Sequence, residues 1–308
     1  MPETAKVAII GGGASAYTAA IYSARANLSP VFYGGPALGG QLMLTSDVEN
    51  FPGFPQPIMG PELMDRMRKQ VERLGVEIVP EKIVRVDFSK RPLVLISESG
   101  TEIRSRTVIV ATGADAKFLG LPSEKKLLGR GVSACATCDG FFFKGKKVAV
   151  VGGGDTAMEE ATFLTKFASS VTIIHRRNEM RASKIMQERA RKNPKIGFLW
   201  ETIVTEVLGD GSLSGIRLKN LKSGMEEEFL CDGLFVAIGH SPNAGFLNGA
   251  LKIDEKGYIA TDGRTRTSVE AVFAAGDVMD HRYRQAVTAA GTGCMAALEA
   301  ERYLEENP

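Results

Sequence analysis

Short apolar runs rich in β-branched residues recur along this chain, and several of them end in glycine. Residues 6–10 are the first, read as a strand buried on both faces of a parallel sheet. Gly11-Gly12-Gly13-Ala14-Ser15-Ala16 follows, and residues 17–26 then take up helical spacing. Residues 28–33 give the next strand. Strand, glycine turn, helix and strand in that order predict the opening βαβ unit of a dinucleotide-binding fold. The glycines let the backbone turn sharply and approach a pyrophosphate. The helix N-terminus offers that anion unpaired N–H groups and a positive dipole end.

The same pattern is written twice. Lys6-Val7-Ala8-Ile9-Ile10-Gly11-Gly12-Gly13 recurs as Lys147-Val148-Ala149-Val150-Val151-Gly152-Gly153-Gly154. One glycine fingerprint is common loop punctuation, whereas two copies between a strand and a helix predict two nucleotide-binding domains. The copies end differently. After residues 171–174 the second reaches His175-Arg176-Arg177, with Arg181 close behind. Lys184, Arg189, Arg191 and Lys192 follow, so a solvated basic face is the alternative reading. At the end of a second strand, however, arginine forks suit a ribose 2′-phosphate, which points to NADPH. The first copy ends at Tyr33, neither acid nor arginine, and that position does not name its nucleotide.

The remaining pattern fills in the organisation. Residues 39–55 form a long loop stiffened by proline, where Gln41, Thr45 and Asn50 either hydrogen-bond a buried ring or face water. Residues 60–75 read as an amphipathic helix and 78–96 as hairpin strands. Three strands run into glycine, at 107–113, 234–239 and 272–277, and a helix rich in Ala and Gly spans 285–305. Asp277 stands before that helix, either to hold a ribose or ribitol hydroxyl or as a turn acid. Pro122 and Ser241-Pro242-Asn243 mark the expected hinges. The second domain is thus inserted into the first: residues 1–117 and 246–308 form one domain and 118–245 the other.

Composition narrows the picture. A chain with 44% hydrophobic and 24% charged residues is not a disordered one. A net charge of +2 gives no global field for nucleic acid or membrane. Four cysteines suggest a reducing compartment. A strand beginning at residue 6 leaves no room for a leader, and no apolar run is long enough to span a bilayer. The expectation is a soluble, cytoplasmic protein.

The remaining chemistry sits in Cys135-Ala136-Thr137-Cys138-Asp139. Two cysteines at this spacing can close a small disulfide ring and reopen it, and one thiol of such a pair often has a depressed pKa. Exchange with another disulfide passes through a mixed disulfide. Asp139 is suited to protonate a leaving thiolate or to take a proton from an attacking thiol. On spacing alone the pair also suits half of a zinc site or two buried thiols. A zinc site needs a second ligand pair, yet Cys231 and Cys294 stand alone and the histidines are His175, His240 and His281. No metal is expected.

Further markers are Gly40-Gln41-Leu42, Val48-Glu49-Asn50-Phe51-Pro52-Gly53, Ala111-Thr112-Gly113-Ala114, Gly239-His240-Ser241-Pro242-Asn243, Ala275-Gly276-Asp277-Val278 and Arg284-Gln285-Ala286. With the cysteine motif and both fingerprints, they make the chain resemble the low-molecular-weight thioredoxin reductases almost end to end. The resemblance implies an α/β fold: two Rossmann-like three-layer ββα nucleotide-binding domains, the second inserted into the first. It implies an FAD-dependent homodimer that reduces thioredoxin with NADPH through a Cys135–Cys138 dithiol served by Asp139. FAD would rest on Gly11, Gly13, Ala14, Gly40, Gln41, Leu42, Thr45, Asn50, Val84, Ala111, Thr112, Gly113, Gly276, Asp277, Arg284, Gln285 and Ala286. NADPH would rest on Gly154, Asp155, Thr156, His175, Arg176, Arg177, Arg181, Ile238 and Gly239. Cys294 is read as small-residue packing. The chain departs from the family at Ala14, usually proline, and at Ala16, usually glycine, whose methyl is expected to push the helix slightly off the strand. Because the cysteines lie on the inserted domain, a hinge rotation near residues 115–120 and 241–247 is expected. Rival readings are an oxygen-using dithiol oxidase, a ferredoxin-fed reductase and a non-enzymatic flavoprotein. The arginines speak against the first two and the intact Cys-x-x-Cys-Asp against the third.

Overall fold

The computed structural model describes residues 4–45 and 47–308, which gather into two compact units. One comprises the chain up to Asp115 together with Ser241–Pro308, and the other is Ala116–His240. The sequence placed these boundaries at 117/118 and 245/246. They fall earlier because the chain crosses between units on the short strands Ala114–Ala116 and His240–Pro242, which pair with each other.

The first unit is built on a seven-stranded sheet. Ala5–Ile10 lies parallel between Val31–Tyr33 and Glu102–Val110, and Val272–Ala274 runs parallel beside the latter. The long strand Glu102–Val110 serves two neighbours. Its first half pairs antiparallel with Leu93–Ser97, which pairs in turn with Ile83–Asp87. The hairpin expected over residues 78–96 is therefore only its second part. Ile78–Val79 instead joins Val31–Tyr33 in parallel register, because its two apolar residues extend the buried edge beside Phe32 and Tyr33. Helices Ala14–Arg25 and Ala286–Glu306 cover one face around Ile9, Ile109 and Phe273. The helices pack backbone to backbone: a Cβ at Gly293 would lie 2.1 Å from the carbonyl oxygen of Ser15. The other face packs around Ile10, Leu95, Val108, Leu247 and Ile259. Ala16 is fully buried in the first of these clusters, so its methyl is accommodated as core.

The second unit has the same plan. Val132–Ser133, Gly233–Val236, Lys147–Val151, Ser170–Ile174 and Ile196–Leu199 form a five-stranded parallel sheet in that spatial order. Helices Asp155–Leu164 and Lys184–Arg191 and the short turn Ala136–Asp139 belong to one face, around Met158, Leu164, Ile173 and Phe235. An antiparallel sheet of Thr202–Leu208, Gly215–Asn220 and Glu226–Leu230 covers the other, around Val204, Ile216 and Leu234. Each unit is thus a Rossmann-like layered α/β domain, and the second interrupts the sequence of the first.

Glu124 is a local anchor in this unit. It is fully buried, and its two carboxyl oxygens accept the N–H groups of Leu119 and Gly120, both at 2.9 Å. Glu124→Ala would remove the acceptor of both N–H groups, the Gly120 one exposed and the Leu119 one half-buried, and is expected to destabilise the protein by about 2 kcal/mol, read as a lower denaturant midpoint. No helix among the described residues is long and apolar enough to cross a membrane.

Candidate active site

The two glycine turns have one geometry. Gly11 takes φ +126°, and a Cβ there would lie 2.1 Å from the carbonyl oxygen of Ala111. At Gly152 a Cβ would lie 2.5 Å from the carbonyl oxygen of Ala237. In both units the turn closes against the end of the neighbouring parallel strand, which only glycine permits. Two residues on, Gly13 and Gly154 cap the helices Ala14–Arg25 and Asp155–Leu164 with nearly identical dihedrals, φ −95° and −97°. Neither cap has a side-chain hydrogen bond, and a Cβ at either glycine would meet nothing within 4 Å. Each helix therefore presents its first N–H groups to open space, a cradle that fits a pyrophosphate.

Around the first turn, loops from adjacent strands converge at their carboxyl ends, the edge where open α/β sheets bind ligands. Ala111-Thr112-Gly113 follows Glu102–Val110, and Gly276 and Asp277 follow Val272–Ala274. Backbone hydrogen bonds tie them to the turn: Ala111 N–H to Ile10 C=O at 2.7 Å and Ala275 N–H to Val110 C=O at 2.9 Å. Gly40, Gln41 and Leu42 lie in the 3-10 turn Gly40–Leu44, with Thr45 at its end. Gly39 N–H donates to Gly12 C=O at 2.8 Å, which lays this turn over the glycines. The Gln41 amide donates to Asp115 at 2.8 Å, and the Asn50 amide to the Gln285 side-chain oxygen at 3.3 Å. Gln285 also forms a capping box with Thr288 at the start of the helix beginning at Ala286. Arg284 holds a left-handed backbone, φ +48°. Burial pushes the Asp277 carboxyl up to about 7, with Asp280 adding to this and Arg284 opposing it. Val84 stands at the bulge between Ile83 and Arg85, half exposed, beyond Lys82, whose side chain reaches Gly35. Tyr33 is buried in the core, and burial, then Glu81, raises its hydroxyl pKa.

In the second unit, Arg176, Arg177 and Arg181 line one cavity of about 600 Å³. The arginine loop is strapped to the glycine turn: the N–H groups of Arg181 and Ala182 donate to Gly153 C=O at 2.7 and 3.0 Å. Asp155 accepts the N–H of Ser183 at 2.7 Å. Thr156 lies beside it in the first turn of the helix, and Ile238 and Gly239 follow Gly233–Val236 next to the turn. His175 sits apart from the cavity. It is buried against Gly153, with Nε2 3.0 Å from Glu179 C=O and its ring edge-on to Trp200. Burial lowers its pKa, and Arg181, Arg177 and Arg176 add to the effect, so it positions the loop as a neutral ring. One wall of the cavity was not legible in the sequence: Glu201 just before the strand Thr202–Leu208, and Leu221 and Lys222 in the turn after Gly215–Asn220. Glu201 N–H donates to Arg177 C=O at 3.2 Å and Leu221 N–H to Glu201 C=O at 2.6 Å, so long-range pairing brings them there.

Cys135 and Cys138 are joined in a disulfide with their Cα atoms 5.3 Å apart. Cys135 C=O accepts the N–H groups of both Cys138 and Asp139, at 3.2 and 3.1 Å, which winds the ring into one turn. The Thr137 hydroxyl lies 3.3 Å from Cys135 Sγ. Burial raises the Asp139 carboxyl above the usual range, opposed by a hydrogen bond with Ser133. Such a carboxyl keeps its proton closer to neutral pH, as a proton donor to thiolate must. Cys231 and Cys294 are free. Burial pushes the Cys231 thiol up to about 12, helped by Asp232, which leaves it inert.

A reducible disulfide beside a buried acid, in a chain with two dinucleotide folds, defines a class. The pyridine nucleotide-disulphide oxidoreductase family matches residues 5–293, and the chain belongs to it. Membership implies an oxidoreductase that works with a nicotinamide nucleotide and a flavin. Within that family the chain is 56% identical to the thioredoxin reductase of Streptomyces coelicolor, over 99% of this chain and 95% of that one. Solved thioredoxin reductases share its architecture. That of Giardia duodenalis has a TM-score of 0.93 at 43% identity, covering 97% of this chain and 98% of that one. That of Streptococcus pyogenes has a TM-score of 0.94 at 39% identity, covering 99% and 100%.

Proposed function

We propose that this chain is a thioredoxin-disulfide reductase that draws electrons from NADPH through FAD and the Cys135–Cys138 pair. The observation that carries the reading is the disulfide with the buried Asp139 carboxyl next to it. FAD fits the first unit: its pyrophosphate on the turn Gly11–Gly13 and Ala14, and its polar groups on Gln41, Thr45, Asn50, Asp277 and the Arg284-Gln285-Ala286 start of the last helix. NADPH fits the second unit, with the turn ending at Gly154 for its pyrophosphate and Arg176, Arg177 and Arg181 for its 2′-phosphate. When bound, the flavin supplies two-electron chemistry between a nicotinamide hydride and a disulfide.

The chain's own residues do the rest. Opening the Cys135–Cys138 bond takes two electrons and two protons and leaves two thiols. One of these, as thiolate, attacks the thioredoxin disulfide, forms a mixed disulfide and expels one thioredoxin thiolate. The other cysteine then displaces the second thioredoxin sulfur and closes the ring again. Asp139 holds the proton that the expelled sulfur needs and recovers one from the attacking thiol. The reading places the enzyme in the cytoplasm, where thiols are kept reduced, and takes it to be a homodimer.

NADPH oxidation measured with and without oxidised thioredoxin tests this. Consumption that requires thioredoxin supports it. Consumption driven by oxygen alone marks a dithiol oxidase, and no consumption marks a ferredoxin-fed or non-enzymatic flavoprotein. Gly11→Ala is expected to purify with less than about a tenth of the flavin of the parent, since strain of about 1–3 kcal/mol falls on the pyrophosphate turn. The ratio of absorbance at 450 and 280 nm reads it.

A further inference from the structure

The arginine cavity has a fourth cation, and it comes from far along the chain. Lys222 lines the same cavity as Arg176, Arg177 and Arg181. It sits in the turn between the strands Gly215–Asn220 and Glu226–Leu230, outside both glycine fingerprints. That turn is stiff. The Asn220 side-chain oxygen accepts the N–H groups of Lys222 and Ser223, at 3.0 and 2.9 Å, and the Ser223 hydroxyl at 3.1 Å. Gly224 N–H donates to Asn220 C=O, and Asn220 N–H to Met225 C=O, both at 2.9 Å.

One residue ties this turn to the arginine loop. Glu201 holds a left-handed backbone, φ +53°, which is costly for a residue with a side chain. Its N–H donates to Arg177 C=O, and its own C=O accepts the N–H of Leu221. Thr202 and Asn220, the next residues of each segment, are in register in the antiparallel sheet. Arg177 and Lys222 are therefore carried on one hydrogen-bonded framework, distant as they are in sequence.

Charge decides what the fourth cation adds. Glu179 and Glu201 also line the cavity. Yet among the described residues none of the four cations forms an ion pair, whereas Lys219, on the strand leading into the turn, is paired with Glu226 at 3.2 Å. Three arginines against two acids leave a surplus of one positive charge, and Lys222 raises it to two. A phosphate monoester carries about −1.5 to −2 at neutral pH. The arginines alone underbalance that charge, and with Lys222 the cavity matches it. Without the arginines, Lys222 is outweighed by the two acids, so it acts with them and not in their place. We propose that Lys222 is a specificity-determining residue for the coenzyme, a point charge held by a stiff turn on the wall of the 2′-phosphate site to complete its neutralisation. This rests on the reading of the cavity as that site.

The test titrates the flavin-loaded protein with adenosine 2′,5′-bisphosphate and with adenosine 5′-phosphate by calorimetry, and measures kcat/KM for NADPH and NADH alongside. Lys222→Met removes the charge and keeps most of the side chain's length. It is expected to weaken bisphosphate binding about five- to tenfold, less than loss of an arginine, because an exposed ammonium is a single, strongly hydrated charge. Binding of adenosine 5′-phosphate and kcat/KM for NADH should stay within about twofold, as for any surface substitution that leaves the fold intact. Lys222→Arg should bind both nucleotides as the parent does. Lys222→Glu should lose at least about another fivefold with the bisphosphate, since it sets a like charge beside the phosphate. A Lys222→Met protein that binds the bisphosphate as the parent does, or that loses both nucleotides equally, overturns the proposal. The two readings fail separately. If Arg177→Ala loses the bisphosphate preference while Lys222→Met keeps it, only the role of Lys222 falls. If neither variant changes that preference, the reading of the cavity falls with it.

Discussion

Replacing either Cys135 or Cys138 by serine is expected to lower thioredoxin reduction at least about a thousandfold, the scale on which loss of a covalent nucleophile acts. The two sulfurs form one ring, wound about the Cys135 carbonyl. A single remaining thiol can attack the thioredoxin disulfide, but the mixed disulfide then has no internal thiol to resolve it. Each single variant should therefore trap a covalent adduct with thioredoxin or fail to react, and neither should turn over. Transfer from NADPH to a small artificial acceptor, which needs no dithiol, should persist in both. Turnover of a single-cysteine variant within tenfold of the parent would mean that another thiol takes part. Cys231 is held as an inert buried thiol, so Cys294 would be the residue to examine next.

The second large effect concerns the carrier. Arg176, Arg177 and Arg181 line one cavity, and the loop that bears them is hydrogen-bonded to the glycine turn below. A charged hydrogen bond to phosphate is worth about 1.5–3 kcal/mol. Each single Arg→Ala change is therefore expected to lower kcat/KM for NADPH by about 10- to 100-fold. The same change should leave kcat/KM for NADH nearly alone. The triple variant should lose its preference between the two. The preference should also weaken below about pH 6, where the phosphate takes up its second proton. Parallel titration of both nucleotides across pH reads these effects, and an equal loss with NADH would mean that the arginines support the fold instead.

How much of this was legible follows from how local each signal is. The glycine turns, the arginine run and the cysteine pair are contiguous in sequence, and their chemistry could be read directly. The parallel strand Ile78–Val79 was missed because two apolar residues carry no period, and only the neighbouring strand Val31–Tyr33 decides their partner. Glu201, Leu221 and Lys222 reach the arginine cavity through pairing between distant strands, which no local pattern announces. His175 stands in the run with the arginines, yet its ring is buried under Gly153, because the first residue past a buried strand still faces the core.

The matching shape of the two glycine turns has a practical corollary. If both cradles hold their diphosphate in the same way, neither can tell one adenine carrier from another. Discrimination is then confined to the segments beyond the second strand of each unit, near Tyr33 in one and around residues 176–181 in the other. Retargeting this scaffold to a different coenzyme would be a graft of a few residues downstream, with both anchor loops left untouched.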